Sequence, residues 1–484
     1  MSHDLQLWVG DRRMAVITHD AAADQWQLQY ADDWRTDPQA FPLSPVLPLE
    51  RPGHAHASAS LRRFIEHLLP EGTALDVAAR YNCLSRSNVF GLIRALGAET
   101  AGALRFEANG APTLAAAPPR ELPLQELDAR IGQRAELPLN VWDGRVRMSV
   151  AGLQDKLLVY LDRPLSEGGR LWLVDGQPLA STHLLKPDAD HPRTPHLAIN
   201  EHFCMSLAHR MGLPAAEVDL LRTPRPVLVV RRFDRLLEVT PTGPQVKRLH
   251  VIDACQACDL PVSFKYERHL GSAPELQNFR DGMSLPRLFG CVNGATQKAA
   301  TRLTLLRWAL FQLLIGNSDA HGKNFSFFVG PGGLLAPAPW YDLVSVRQYP
   351  QLDTELAMAI GDVFAPTEVA AFPLADFARR CGIDRKLMQR EGRRLAKAAL
   401  GAAAAQAAWA GYQDAERPFI ESLAGFVQQQ AQWLERVTAE AAAFGAPKLA
   451  ALAAPQATVF EVKPLTRAAG AWRRPRWPGL AAWR

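Results

Sequence analysis

The chain is poor in cysteine, with six in 484 residues, and they are scattered: Cys83, Cys204, Cys255, Cys258, Cys291 and Cys381. That scatter excludes a small disulfide-stapled scaffold and suits thiols kept reduced in the cytoplasm. Cys255 and Cys258 have the spacing of half a zinc site, yet no second such pair and no nearby His-x-x-x-His supplies the remaining ligands. Long apolar runs are missing too. None approaches the ~18 residues that a membrane helix needs, and the opening MSHDLQLWVGDRRM lacks the apolar core of a secretory signal. The expectation is a cytoplasmic protein with no membrane partner. Neither sign of charge dominates: a formal net charge of +5 permits an acidic partner without requiring nucleic acid. No internal repeat and no helix-turn-helix is evident.

With 48% apolar residues the chain can bury a large core, and its length calls for two or three domains. Residues 1–111 read as short strands (Leu5–Val9, Met14–Thr18, Trp26–Tyr30), a proline-rich crossing, and helices beginning near Leu61 and Ser87. Residues 112–123 carry enough proline to be a connector. Residues 124–285 mix strands and helices. Residues 286–450 are mostly helical, with alanine-rich helices over Leu387–Tyr412 and Phe419–Phe444. The last segment, 451–484, is Ala, Pro, Arg and Trp without periodicity, and is expected to be disordered. Arg473, Arg474 and Arg476 beside Trp472 and Trp477 suit stacking on nucleic acid or a partner; an unselected extension is the simpler account.

The most informative stretch is Asn317-Ser318-Asp319-Ala320-His321-Gly322-Lys323-Asn324-Phe325-Ser326. It places an aspartate five positions before an asparagine, the spacing of a loop in which Asp accepts or orients the proton of an attacking hydroxyl while Asn holds Mg²⁺ on nucleotide phosphates. D-x-x-x-x-N alone arises by chance, so context must add to it. Upstream, Leu305 to Gly316 reads as a buried helix stopped by glycine. Downstream, Phe325 to Val329, Gly330-Pro331-Gly332-Gly333 and Leu334-Leu335 read as a hairpin, followed by Trp340-Tyr341-Asp342-Leu343. Asp342 is then the second acidic residue beside the loop. One Asp and one Asn suffice for Mg²⁺, because phosphate and water complete its octahedron.

Two earlier segments offer anchors for a nucleotide. Arg147 to Lys156 is a turn rich in small residues feeding the strand Leu157 to Leu161, and its backbone N–H groups suit phosphate. Thr182-His183-Leu184-Leu185-Lys186-Pro187 ends a short apolar strand on a lysine. Glu201, in the helix from Ala198 to Met211, is a candidate partner for Lys186; its simpler role is a first-turn carboxylate favouring the helix dipole. Lys186 on spacing alone is an ordinary strand-end lysine, His321 a turn residue, and Ser149 a turn cap.

The ordered set of strings SVAGLQDK (Ser149 to Lys156), THLLKP, NEHFCMSLAHRMGLP, VVRRFDR, CQACDLPVSFKYE, NSDAHGKNFSFF and APWYDLVS resembles the HipA-type serine/threonine kinases, toxins of bacterial toxin–antitoxin pairs. PLSPVLPLE (Pro42 to Glu50) and HLLPEG (His67 to Gly72) resemble the accessory region of that family, so the likeness runs over about residues 1–440. The resemblance implies an α+β, protein-kinase-like two-lobed fold, with a mixed N-terminal region and a mostly helical C-terminal lobe. It implies ATP and Mg²⁺ as cofactors, Asp319 as proton acceptor, and Asn324 and Asp342 as metal ligands. Lys186 would bind the phosphates, and Ala151, Gly152, Leu153, Gln154, Asp155 and Lys156 would form the phosphate loop. Arg231, Arg232 and Phe233 would lie at the adenine-contacting hinge. His321, Gly322, Lys323 and Asn324, with Tyr341, Asp342, Leu343 and Val344, would line the nucleotide site. Ser149 matches a serine that family members autophosphorylate, shutting the kinase off by placing charge where ATP phosphates must sit. Arg231 departs from the acidic residue expected in the hinge string.

The implied partners are a helix-turn-helix antitoxin of HipB type, operator DNA only through that antitoxin, and a protein substrate; family targets include an aminoacyl-tRNA synthetase, whose modification halts translation. Two rival readings stay open at this point. One is an ATP-dependent small-molecule or lipid kinase, and the other a catalytically inactive antitoxin-binding co-repressor, against which the intact Asp319, Asn324, Asp342 and Lys186 argue.

Overall fold

The computed structural model describes residues 2–50, 56–108, 118–147, 155–176, 179–188, 191–241 and 243–445. The N-terminal strands are β1 (Ser2–Val9), β2 (Arg12–Asp20) and β3 (Gln25–Tyr30). A short α1 (Asp32–Arg35) precedes the proline-rich crossing, and α2 (Ser58–Glu66), α3 (Gly72–Tyr81) and α4 (Val89–Leu96) follow it. β4 (Leu104–Ala108) returns beside β1, giving an antiparallel sheet of order β3-β2-β1-β4. Alternation along β1 and β2 puts Leu5, Leu7, Ala15 and Ile17 on the buried face, as a half-buried antiparallel strand requires. Within the segment read as a connector over 112–123, Arg120–Leu122 is β5, an edge strand paired with Leu171–Leu173, and Leu122 is buried in the next core.

That next core belongs to a six-stranded sheet of order β11-β12-β10-β8-β9-β5. After α5 (Leu124–Gly132) and the small hairpin β6 (Val141–Trp142) and β7 (Arg145–Val146) come β8 (Leu157–Leu161), β9 (Leu171–Leu173) and β10 (His183–Pro187). Helix α6 (Leu197–Arg210) leads to β11 (Val218–Arg222) and β12 (Pro226–Arg231). Leu157, Val159, Leu185, Val227 and Val229 meet α5 on one face. Since side chains alternate, Leu184 and Lys186 must point to the other face. A hairpin of β13 (Arg235–Thr240) and β14 (Gly243–Arg248) then leads to β15 (Val251–Asp253) and the single-turn α7 (Ala254–Ala257).

The remainder is largely helical. α8 (Leu285–Gly290) precedes α9 (Lys298–Ile315), whose Leu305, Leu306, Trp308, Leu310, Phe311, Leu314 and Ile315 are all buried. β16 (Ser326–Val329) and β17 (Leu335–Pro337) form the anticipated hairpin, and β16 also pairs with β15. α10 (Ala371–Arg380), α11 (Arg385–Ala407) and α12 (Arg417–Ala442) close the chain's helical half. The expected tail, 451–484, lies outside the described residues.

The N-terminal domain is fastened to the rest by buried polar contacts. Arg232 and Arg235 both hold Asp234, which also accepts the Gly102 N–H at 2.7 Å. Glu99 accepts the Ser181 N–H at 2.7 Å, and Arg63 pairs with Asp259 at 2.7 Å. His250 lies between the two regions, stacked on Phe41 with ring centroids 4.9 Å apart and bonded through Nε2 to the Leu43 carbonyl at 2.8 Å. Burial pulls His250 down to about 4, although the bond to Leu43 favours its protonated form. The unfolded value is higher, near 6.5, so neutral His250 contributes stability above that pH which is lost as pH falls toward 4. Lowering pH from 7.5 to 5 should therefore cost about 2 kcal/mol at this residue. Urea unfolding of the His250→Gln variant, which keeps a donor for Leu43 and does not titrate, should show a correspondingly smaller loss between those pH values.

Candidate active site

Helix α9 ends in a way that fixes the loop after it. Gly316 is left-handed at φ +67°, its N–H meets the Leu313 carbonyl, and the Asn317 N–H reaches back to Gln312 at 2.9 Å, a Schellman closure. A Cβ at Gly316 would stand 2.8 Å from the Phe426 ring, so both backbone and packing require glycine. Beyond it, Asn317, Ser318 and Ala320 to Phe325 are buried, whereas Asp319 is exposed. The loop thus presents one carboxylate to solvent from an otherwise sequestered backbone.

Amide side chains lock that presentation. Asn317 Oδ1 accepts the Asp319 N–H at 3.1 Å, while its Nδ2 donates to Gln312 Oε1 at 2.9 Å and to the Asp342 carbonyl at 3.3 Å. Asn324 Nδ2 donates to the Asp319 carbonyl at 2.9 Å, which leaves Oδ1 as the amide oxygen available to a cation. Tyr266 Oη donates to Asp319 Oδ1 at 2.6 Å.

Across the cleft, Lys186 is 3% exposed and contacts two carboxylates: Glu201 Oε1 at 2.6 Å and Asp342 Oδ1. Burial opposes the charge on Lys186, but Asp342 and Glu201 outweigh it and hold the ammonium well above the ordinary lysine range. For Asp342 burial again opposes ionisation, and Lys186 and Lys156 overcome it, so the carboxyl stays below its usual range. Glu201, 1% exposed, goes the other way: burial pushes it up to about 7 against the pull of Lys186. Lys156, buried nearby, is pulled down to about 8 by burial, with Asp342 opposing and Lys186 adding to the fall. An incoming polyanion would favour the charged forms of both lysines.

These groups share one cleft of about 1130 Å³. Its walls include Asp155, Lys156, Lys186, Glu201, Asp319, His321, Asn324, Tyr341, Asp342 and Val344. Arg231, Arg232 and Phe233 also border it. The Arg232 guanidinium is committed to Asp234 and the Thr100 carbonyl, and exposed Arg231 pairs with Glu217 at 2.7 Å, so what this edge offers a ligand is backbone and the Phe233 ring. That ring lies 5.7 Å from the Tyr341 ring, an apolar edge suited to a planar base. Two residues read as nucleotide-lining face elsewhere. Leu343 is fully buried in the core, and Gly322 is packed so tightly that a Cβ would stand 2.6 Å from Cys255 Sγ. Ser149, Ala151, Gly152, Leu153 and Gln154 lie outside the described residues.

Lys323 borders the same cleft and reaches the N-terminal domain from there. Its ammonium contacts Asp253 Oδ2 and His67 Nδ1, each at 2.9 Å, and Glu71 at 3.7 Å. Burial resists this charge, but Asp253 and Glu71 raise Lys323 above its ordinary value. Asp253 has two duties, since its Oδ1 caps α7 by accepting the Gln256 N–H at 2.8 Å. Sequence reasoning assigned no role to Tyr266, Asp253, His67, Glu71 or Asn317. For Tyr266, Asp253, His67 and Glu71 the strings were visible, but contacts such as those spanning 53 and 256 residues of chain leave no local signal; Asn317, two residues before Asp319, carried a local signal as an Asx turn that was not used.

The donor chemistry fits Mg²⁺ and a nucleotide: Asp342 and Asn324 offer hard oxygens to the same cleft, and Lys186 and Lys156 offer cations for phosphate. Among the described residues no three His, Cys, Asp or Glu side chains form a self-sufficient metal cage. Cys258 instead faces Cys291, sulfurs 3.5 Å apart.

A sheet-rich lobe and a helical lobe with an Asp–Asn loop, a buried lysine–carboxylate pair and a second aspartate define a protein-kinase-like α+β architecture. Residues 5–107 match the HipA N-terminal domain and residues 148–406 the HipA-like C-terminal domain. The serine/threonine-protein kinase toxin HipA of Shewanella oneidensis is 40% identical over 385 residues, 79% of this chain and 84% of that one. The putative kinase Y4mE of Sinorhizobium fredii is 34% identical over 394 residues, 80% of this chain and 87% of that one. The solved structure of Shewanella oneidensis HipA with HipB and operator DNA superposes with a TM-score of 0.81 at 35% identity, covering 91% of this chain and 100% of that one. The chain belongs to the HipA family.

Replacing Lys323 by methionine would strand Asp253 as a buried carboxylate without its cation. Urea unfolding at pH 7.5 should then show a loss of about 3–5 kcal/mol.

Proposed function

We propose that this chain is an ATP-dependent serine/threonine-protein kinase and the toxin of a HipBA-like pair, with a helix-turn-helix antitoxin as partner. The observation that carries the reading is the convergence of Asp319, Asn324, Asp342 and Lys186 on one cleft. Asp319 is the proton acceptor for the attacking serine or threonine hydroxyl, because it is the exposed carboxylate of a buried loop. Asn324 and Asp342 would hold Mg²⁺, and Lys186, with Lys156, would receive the nucleotide phosphates. The metal would supply neutralisation of charge building on the transferred phosphoryl group. What the chain itself supplies is orientation: Asn317 ties the backbones of Asp319 and Asp342, and Glu201 keeps Lys186 aimed at the site.

DNA binding would come through the antitoxin, in line with a solved relative that carries HipB and operator DNA. The substrate is a protein, with an aminoacyl-tRNA synthetase as the leading target class, and its modification would arrest translation and growth. Ser149 is the self-phosphorylation site that limits the activity. The small-molecule kinase and inactive co-repressor readings predict no phosphate on the chain's own serine.

Mass spectrometry of phosphatase-treated protein incubated with Mg-ATP separates these readings. Phosphate should appear on Ser149 of the parent and be absent from Ser149→Ala. Asp319→Asn and Asp342→Asn should each lower transfer by at least ~100-fold, and overexpression of either should no longer inhibit growth; thermal unfolding should change little for the exposed Asp319, whereas Asp342→Asn leaves buried Lys186 with Glu201 alone and should unfold at a lower temperature. An Asp319→Asn chain as toxic as the parent would place the toxicity outside catalysis.

A further inference from the structure

We propose that Tyr266 is a positioning residue for Asp319, holding one carboxylate oxygen so that the other is presented to the acceptor hydroxyl. The inference rests on the reading of Asp319 as proton acceptor. It starts from the 2.6 Å bond that the Tyr266 phenol donates to Asp319 Oδ1.

The segment that carries the phenol is fastened to both flanks of Asp319. On one side the Lys265 carbonyl accepts the Gly322 N–H at 2.9 Å. On the other, the Glu267 N–H donates to the Ala357 carbonyl at 2.9 Å, and the Ala357 N–H donates to the Ser318 carbonyl at 2.8 Å. Side chains add to the hold: Lys265 pairs with Glu71 at 2.7 Å, and Glu267 accepts the Ala359 N–H at 2.8 Å and bonds Arg280. The phenol ring meets His321 edge-on, with centroids 5.1 Å apart. These bonds fix the backbone that carries the phenol relative to the loop that carries Asp319, within three residues of its acceptor.

The chemistry gives that geometry a purpose. The torsion that orients a carboxylate's plane is soft, so an exposed Asp spends part of its time with neither oxygen aimed at the acceptor. A bond from a neutral hydroxyl to a carboxylate is charge-assisted and among the stronger protein hydrogen bonds. It fixes the plane of Asp319 and leaves Oδ2 for the substrate. Burial first, and then the charge of Asp319, push the phenol above its ordinary range, so it remains a donor wherever Asp319 is ionised. Two other roles for the same contact predict different results. A phenol that merely competes with the acceptor hydroxyl would slow the parent enzyme, and a phenol that is itself an acceptor would become phosphorylated.

The test uses the full chain with Mg-ATP, measuring the initial rate of self-phosphorylation and Mg-ATP affinity for the parent, Tyr266→Phe, Asp319→Asn and the double variant. Phenylalanine retains the ring and its packing on His321 and removes the donor alone. The expected result is a maximal rate lower by on the order of 10- to 100-fold in Tyr266→Phe, with KM and Kd for Mg-ATP unchanged and no added loss in the double variant. A Tyr266→Phe rate equal to or above the parent's overturns the proposal, as does a loss expressed in KM, or phosphate found on Tyr266. An inactive Asp319→Asn beside a fully active Tyr266→Phe sinks this inference and spares the reading of Asp319. An Asp319→Asn chain at the parent's rate, or a parent that transfers no phosphate, sinks both.

Discussion

A buried ammonium must touch a carboxylate, and in this chain that requirement joins regions far apart in sequence. Lys323 lies in the loop that presents Asp319, yet its charge is met by Asp253 at the end of β15 and by His67 from the N-terminal domain. Asp253 in turn closes the first turn of α7, and the backbone of β15 pairs with β16, the strand that leaves the loop. Moving any one of these pieces would expose or unpair a charge in a low-dielectric interior, at a cost of several kcal/mol. The loop is therefore held by electrostatics as much as by packing, and the N-terminal domain is part of what holds it.

The second ion cluster differs because it faces the cleft. Lys186 serves two carboxylates of unequal character: Asp342, kept ionised by the lysines, and Glu201, pushed up to about 7 by burial. The asymmetry follows from position. Asp342 has 30% of its side chain exposed, whereas Glu201 is on the buried side of α6. An anion entering the cleft would add negative charge beside two lysines, and Glu201 can answer by taking up a proton. A site arranged in this way can accept charge without moving its backbone.

Much of this was legible in the sequence because the informative elements are local. Strand alternation in residues 5–30, the apolar run of α9 and its glycine stop, the hairpin after Phe325 and the order of the motif strings all depend on neighbours in the chain. Where the reading fell short, the determinants were distant. Arg232 borders the cleft as its string implies, but the bond of its guanidinium to the Thr100 carbonyl, 132 residues away, had no local signal. Leu343 adjoins Asp342 in sequence, yet after the left-handed turn at Asp342 its side chain is fully buried in the core. The three-residue strand β5 was hidden in a proline-rich connector, since edge strands that short have no periodicity to detect.

Asp342 shows how function and backbone meet at one residue. Its φ of +52° lies in the left-handed region, which costs a side-chain-bearing residue roughly 1–2 kcal/mol and which glycine would occupy freely. Glycine, though, would remove the carboxylate that holds Lys186. Aspartate and asparagine are the side chains best tolerated there, because a short polar group finds local hydrogen bonds. Asparagine would accept a bond from Lys186 but bring no charge to offset two buried lysines. Aspartate alone satisfies both the turn and the lysines, and the Asn317 amide that bonds its carbonyl stabilises the strained backbone from the loop side.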